Sequence, residues 1–413
     1  MWWLYRFAFA LALVIVGPWY ALRRRSALGE LVRGRLALDP ATVDGRPLWI
    51  HAVSVGEVLV AGIFARTLPR ELPLVVTTIT PTGMARARAV FAERATVLWA
   101  PLDLAGPIER FLGGLAPRGL VLIEGDYWPL TLEWCRRREL PIVVVNGRIG
   151  DRSFSRLRRF PGLTRVMHRR ARRLVVQAEV DRERLVALGV AEERIEVAGN
   201  LKFDAEPKGC PQELGAAILA VAGGRPLAVA GSTMPGEDEL VLEAWRQAGG
   251  AKVSLLVIAP RHPERFDRVV ELVGRLGLSV VRRSALPVDA AADVVVLDSV
   301  GELAGVYALA TVAFVGGSLV PTGGHNPIEP AQHGVAVAVG PSQENFRDVA
   351  AMFERAAAWA CVRDGDELGT VWRRWLEQPA ERRRVGTAAR ELVAASRGAA
   401  ARSAAAAARE IGW

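Results

Sequence analysis

Lysine, cysteine and aromatic residues are scarce in this chain. Only Lys202, Lys208 and Lys252 are lysines, so arginine supplies 50 of the 53 basic side chains. The three cysteines, Cys135, Cys210 and Cys361, stand too far apart for zinc-ligand spacing and cannot all pair, which points to a reducing compartment. Helix-turn-helix, zinc-finger and RNA-binding signatures are missing, which argues against nucleic acid as a partner. Neither a Walker loop nor a spaced G-x-G-x-x-G occurs, which disfavours triphosphates and dinucleotides. With 51% hydrophobic and 23% charged residues over 413 positions, disorder and coiled coil are excluded. The length suits two domains of roughly 150–200 residues each. The basic excess reads either as arginine-favouring codon usage without any function or as a bias toward anionic partners. Physically, the net charge of +9 still biases the surface toward anionic partners.

Phe7 to Leu22 is a run of 16 uncharged residues, with Trp2, Trp3 and Tyr5 before it and Arg23, Arg24 and Arg25 after it. A spanning helix needs about 20 apolar residues. The aromatic outer end and arginine inner end suit a retained N-terminal membrane anchor (residues 1–25) that leaves the rest of the chain cytoplasmic. A cleaved signal peptide fits less well, because most of the positive charge follows the apolar run. A second basic stretch, Ser153 to Leu174, intersperses Arg156, Arg158, Arg159, Arg165, Arg169, Arg170, Arg172 and Arg173 with apolar residues. It reads either as a solvated helical face or as a surface for an anionic bilayer.

Downstream, Val/Ile/Leu runs alternate with helical stretches. The first series of strands covers 47–55, 72–80, 95–101, 119–126, 141–149, 173–179 and 194–200. The second covers 226–233, 251–261, 278–284, 293–299, 311–318 and 335–342. Apolar runs of this kind predict parallel strands buried on both faces. The expectation is an α/β architecture of two doubly wound domains around a cleft: 26–204, a linker at 205–224, and 225–413 with an Ala/Arg-rich helical tail. Ligands gather at the carboxyl ends of such strands.

Most unusual clusters fall at those ends. HAVSVGE (51–57) puts Glu57 in the first turn of a helix, where it either complements the dipole or takes a proton from an alcohol. TTITPTG (77–83) suits a capped helix or a hydroxyl-rich ligand, and EGDYWP (124–129) holds two acids beside two aromatics. Lys202, in GNLKFD (199–204), is a candidate anion contact, since a flexible ammonium is not interchangeable with a guanidinium. AGSTMPGEDE (230–239) is a Gly/Ser turn whose backbone N–H groups suit a phosphate. In FVGGSLVPTGGHNPIEPAQHG (314–334), Asn326 as N-cap, Pro327 at N1 and Glu329 at N3 make a variant capping box. The glycines before them read as an anion-binding loop.

HAVSVGE, TTITPTG, EGDYWP, NGRIGDRSF, GNLKFD, APRHPERF, DSVGEL and GGSLVPTGGHNPIEP resemble, in this order, the motifs of the 3-deoxy-D-manno-octulosonic acid (Kdo) transferases of lipid A assembly. The resemblance runs from about Trp49 to Ala350 and includes the anchor. It implies a GT-B glycosyltransferase of two Rossmann-like domains, held at the cytoplasmic face of the cell inner membrane. It further implies transfer of Kdo from CMP-Kdo to the tetraacyl lipid A precursor, lipid IVA, with inversion. Glu57 matches the family's catalytic base. Pro260, Arg261, Val300, Gly301, Glu302, Asn326, Pro327, Ile328 and Glu329 match its CMP-binding positions, and Lys202 is added as an anion contact. Gly125, Asp126 and Leu130 depart from the family's Glu-Thr-Glu-x-Trp-Pro-Asn pattern, and Met234 stands where the family has His. No cofactor is expected. A monophosphate leaving group needs less neutralisation than a diphosphate and the sequence reads as lacking an Asp-x-Asp metal motif, so no obligatory metal is expected either. Two other readings stay open: a membrane-docked enzyme using a different nucleotide sugar, and a nucleotide sensor that is not an enzyme.

Overall fold

The computed structural model describes residues 28–39, 42–159, 168–288 and 291–413. The expected anchor and the middle of the basic stretch lie outside these residues. Among the described residues no helix is long and apolar enough to cross a membrane. The chain divides into two compact units: residues up to Ala205 together with Arg397–Trp413, and Glu206–Ser396.

The first unit is built on seven strands: β1 (Leu48–His51), β2 (Leu74–Thr78), β3 (Thr96–Trp99), β4 (Gly119–Ile123), β5 (Ile142–Gly147), β6 (Arg173–Val176) and β7 (Ile195–Val197). They form one sheet in the order β3-β2-β1-β4-β5-β6-β7. Every pairing is parallel. Leu48 to His51, Leu74 to Thr78 and Gly119 to Ile123 are buried throughout, as two covered faces require. One apolar layer gathers Ile50, Val58, Phe64 and Val121, and the other gathers Trp49, Phe111, Leu122 and Val144.

The second unit repeats the plan with β8 (Leu227–Thr233), β9 (Leu255–Pro260), β10 (Val280–Arg282), β11 (Val294–Val296), β12 (Val312–Val315), β13 (Ala336–Val339) and β14 (Ala360–Cys361). Their order is β10-β11-β9-β8-β12-β13-β14, again all parallel. The strand order reverses between β1 and β4 in one sheet and between β8 and β12 in the other. These are the switch points at which open α/β sheets bind ligands.

Three expectations are corrected, the first being the linker at 205–224, which carries the helix Gln212–Ala222 as part of the second unit. The short edge strand β14 is additional to the six expected in the second series. The tail helix, Ala399–Ile411, joins the first unit rather than the second. Gly119 lets it approach closely: a Cβ built there would come within 2.6 Å of Ile411. Polar contacts then fix it. The Asp204 carboxylate accepts from Gly398 N (2.5 Å) and Ala400 N (2.7 Å), Arg402 donates to Ala198 O, and Arg173 pairs with Glu410 at 2.9 Å. A carboxylate on a helix N-terminus contributes about 1 kcal/mol.

Candidate active site

In the first unit, the chain leaving β1 turns at Ser54 into the helix Val55–Ala65. Ser54 is the N-cap and its Oγ accepts from Glu57 N (3.3 Å). The Glu57 carboxylate folds back onto the same turn. Its Oε1 accepts from Ser54 Oγ at 2.8 Å and its Oε2 from Val53 N at 2.8 Å. This is a capping box displaced by one residue. Glu57 is half-buried, and burial drives its pKa up to about 7. The two hydrogen bonds oppose that shift, while the negative charges of Asp126 and Glu124 reinforce it. Burial first, then Glu124, raises the Asp126 carboxyl too.

Glu124 and Asp126 follow β4, the neighbour of β1 across the switch point. The backbone there is left-handed at Glu124 (φ 59°) and Gly125 (φ 102°). Glycine tolerates that conformation at Gly125. Glu124 accepts from Asn146 Nδ2 at 3.2 Å, and Asn146 Oδ1 accepts from Leu201 N at 3.0 Å. Lys202 is next in line, in a short turn with its N–H on Asn200 Oδ1. It therefore belongs to the first unit, whereas the other proposed nucleotide contacts belong to the second. The threonines of TTITPTG are engaged internally. Thr80 caps the helix Pro81–Phe91, Thr78 donates to Val53 O, and Thr77 Oγ1 meets His51 Nδ1 and Trp49 Nε1. The capped-helix reading holds there. His51, fully enclosed, has its pKa pushed down to about 4 by burial and then by Arg35.

In the second unit, Pro260 ends β9, and Arg261 ties that end to β8 through its N–H on Thr233 O (3.0 Å) while its side chain is exposed. Val300 and Gly301 follow β11, Val300 being 80% exposed and Gly301 left-handed at φ 98°. Glu302 is clamped by Arg283 through Nε and Nη2, both at 2.7 Å, and by Ser299 Oγ. The Arg283 hydrogen bond holds its carboxyl below the ordinary range. Asn326 accepts from Ile328 N (3.2 Å) and donates to Glu329 (3.1 Å). The helix runs Ile328–Gln332 with Pro327 at its N-cap, so the expected box is shifted by one position. All nine residues sit at the carboxyl ends of β9, β11 and β12.

The glycine loop differs from expectation in what fills it. Glu237, fully buried, accepts from Met234 N (2.8 Å), Gly317 N (2.6 Å), Ser318 N (2.9 Å) and Leu319 N (2.9 Å). The N–H groups read as a phosphate cradle therefore hold a carboxylate of the chain itself. The rest of the loop folds back: Gly324 N reaches Gly317 O, His325 N reaches Gly316 O, and Gly323 N reaches Ser342 Oγ. A Cβ on Gly317 would lie 2.8 Å from the His325 ring. His325 Nε2 is buried with no hydrogen-bond partner in the protein. Burial, with the charges of Arg261 and His262, lowers the His325 pKa to about 4.

Among the described residues, no group of three or more His, Cys, Asp or Glu side chains lies close enough to hold a metal. An Asp-x-Asp triplet does occur outside the strand-end clusters, at Asp364–Asp366. Asp364 caps the helix Gly365–Glu377 and Asp366 accepts from Gln247 at 2.8 Å. Ser54, Glu237 and Arg283 were not singled out by the motifs. Ser-x-x-Glu is a readable cap signal, but Arg283 gives none.

A family model described as 3-deoxy-D-manno-octulosonic-acid transferase (kdotransferase) matches residues 30–205. The 3-deoxy-D-manno-octulosonic acid transferase of Bordetella pertussis is 33% identical, covering 95% of this chain and 94% of its own length. The chain belongs to the Kdo transferase family. The Haemophilus influenzae member is 32% identical over 85% of this chain and 84% of its own. Among solved structures, Anabaena HepE in complex with UDP-glucose superposes with TM-score 0.61 at 12% identity, covering 88% of this chain and 100% of that one. The fold is thus GT-B, as the motifs imply, and the protein is a glycosyltransferase.

Proposed function

We propose that this Kdo transferase moves Kdo from CMP-Kdo to a lipid A precursor, lipid IVA, by a single inverting displacement with Glu57 as general base. The observation that carries this is a half-buried carboxylate at the β1–β4 switch point whose pKa lies near 7. That value suits a group that must be ionised before reaction and protonated after it. The bond between the anomeric carbon and the phosphate oxygen breaks, and a bond to the lipid hydroxyl oxygen forms on the opposite face. The hydroxyl proton passes to Glu57, and CMP leaves with the bonding pair. The transition state has oxocarbenium character. Pro260, Arg261, Val300, Gly301, Glu302 and Asn326–Glu329 would receive the CMP portion, with Arg261 facing the phosphate. No cofactor or obligatory metal enters this scheme.

An anchor at 1–25 and an anionic membrane surface complete the reading. A concavity of about 640 Å³ lined by Arg136, Arg169, Arg170 and Arg172, with Glu139 and Leu140 among them, keeps a net basic lining that supports attraction to anionic headgroups. Arg170 and Arg173, however, also hold Glu133 and Glu410 inside the fold. Purified protein offered lipid IVA with CMP-Kdo, and separately with UDP-sugars, tests the assignment by mass spectrometry of the lipid. A mass gain of one or more Kdo units from CMP-Kdo alone is expected. A gain from a UDP-sugar alone would overturn the donor.

A further inference from the structure

We propose that Glu237 is a positioning residue, the built-in anion of the donor loop. Its carboxylate does for that loop what a bound phosphate does in an ordinary glycine-rich anion site. Four N–H groups converge on it, three of them successive (Gly317, Ser318, Leu319) and the fourth from Met234 in the turn after β8. The side chain is fully buried, and it joins the two loops that flank the β8–β12 switch point. Gly316 can be nothing larger, because a Cβ there would lie 2.6 Å from Ser232 O and 2.8 Å from Glu237 Oε2.

The consequence reaches the ligand side. With Gly317 fixed, its carbonyl accepts from Gly324 N (2.7 Å) and Thr322 Oγ1 (2.9 Å), and Gly316 O accepts from His325 N (3.2 Å). His325 is thereby pressed against Gly317, immediately before the Asn326–Glu329 segment. The loop N–H groups are not open to a donor phosphate, which leaves the Arg261, His262 and His325 side chains to face it. This inference rests on the CMP-donor reading for its ligand, but the loop geometry stands apart from it.

The test uses full-length protein carrying Glu237→Ala, with Glu237→Gln as the conservative variant should the alanine protein fail to fold. Glu237→Ala is expected to raise KM for CMP-Kdo by about tenfold or more, as loss of a charge-assisted hydrogen-bond set implies, with kcat within about threefold. Formate, a free carboxylate small enough for the vacated nest, is expected to restore KM and to raise the melting temperature of Glu237→Ala but not of wild type. Glu237→Gln, keeping one acceptor oxygen, should fall between and respond little to formate. An unchanged KM in both variants would overturn the proposal, as would tighter CMP binding in Glu237→Ala or a complete lack of formate response. Wild type that binds no CMP would remove the donor reading, while the formate-dependent melting of Glu237→Ala would still decide the role of Glu237.

Discussion

The two sheets carry acids at equivalent switch points and treat them oppositely. After β1 and β4, Glu57, Glu124 and Asp126 lie near one another with no arginine among their hydrogen-bond partners in the described residues, and Glu57 retains a proton up to about pH 7. After β8 and β11, three acids have strong partners, although burial still raises the Asp238 carboxyl. Glu237 has four backbone donors, Glu302 has Arg283, and Asp238 has Arg265 and Thr233. An under-compensated carboxylate is reactive toward protons, whereas a compensated one is a structural fixture. On the function proposed above, the same strand topology supports a proton-transfer site in one unit and a rigid binding frame in the other.

The largest test of that contrast compares Glu57→Ala with Arg283→Ala. The first should lower kcat by about 10²–10⁴-fold and leave CMP affinity unchanged. The second releases Glu302 and should raise KM for the donor by about tenfold with kcat near wild type. Steady-state kinetics and calorimetry separate the two. A loss of kcat in both would erase the division of labour.

Stability against pH gives an effect of intermediate size. Because the folded chain holds the Glu57 proton more tightly than the unfolded chain, Glu57 costs stability as pH rises from 4.5 toward 7. Glu57→Gln should accordingly stabilise the protein by about 3 kcal/mol at pH 8 and by almost nothing at pH 4, as read from denaturant melts. The smallest effects tune the base. Asp126→Asn removes a negative neighbour and should move the acid limb of the rate profile down by a fraction of a pH unit. Ser54→Ala removes a donor to the carboxylate and should move it up.

Most of the fold was legible because valine-rich runs such as 143–145 and 294–296 leave little but a buried parallel strand. β14, two residues long, offers no such run. The tail helix was legible as helix from its alanines, but nothing local tells which sheet alanines will pack on; Asp204, nearly 200 residues earlier, makes that choice. At the sites, Glu57 could be read from Ser-x-x-Glu after a strand. The glycine loop reads as an anion-binding loop in sequence because its occupant, Glu237, lies about 80 residues upstream. Arg283 was hidden for the same reason, being separated from Glu302 by a strand and a turn.

The pH dependence of kcat/KM with saturating lipid acceptor tests the central claim most directly. An ascending limb with its midpoint near 7 that disappears in Glu57→Gln is predicted. A limb centred near 4.5, or one that persists unchanged without the Glu57 carboxylate, would contradict it.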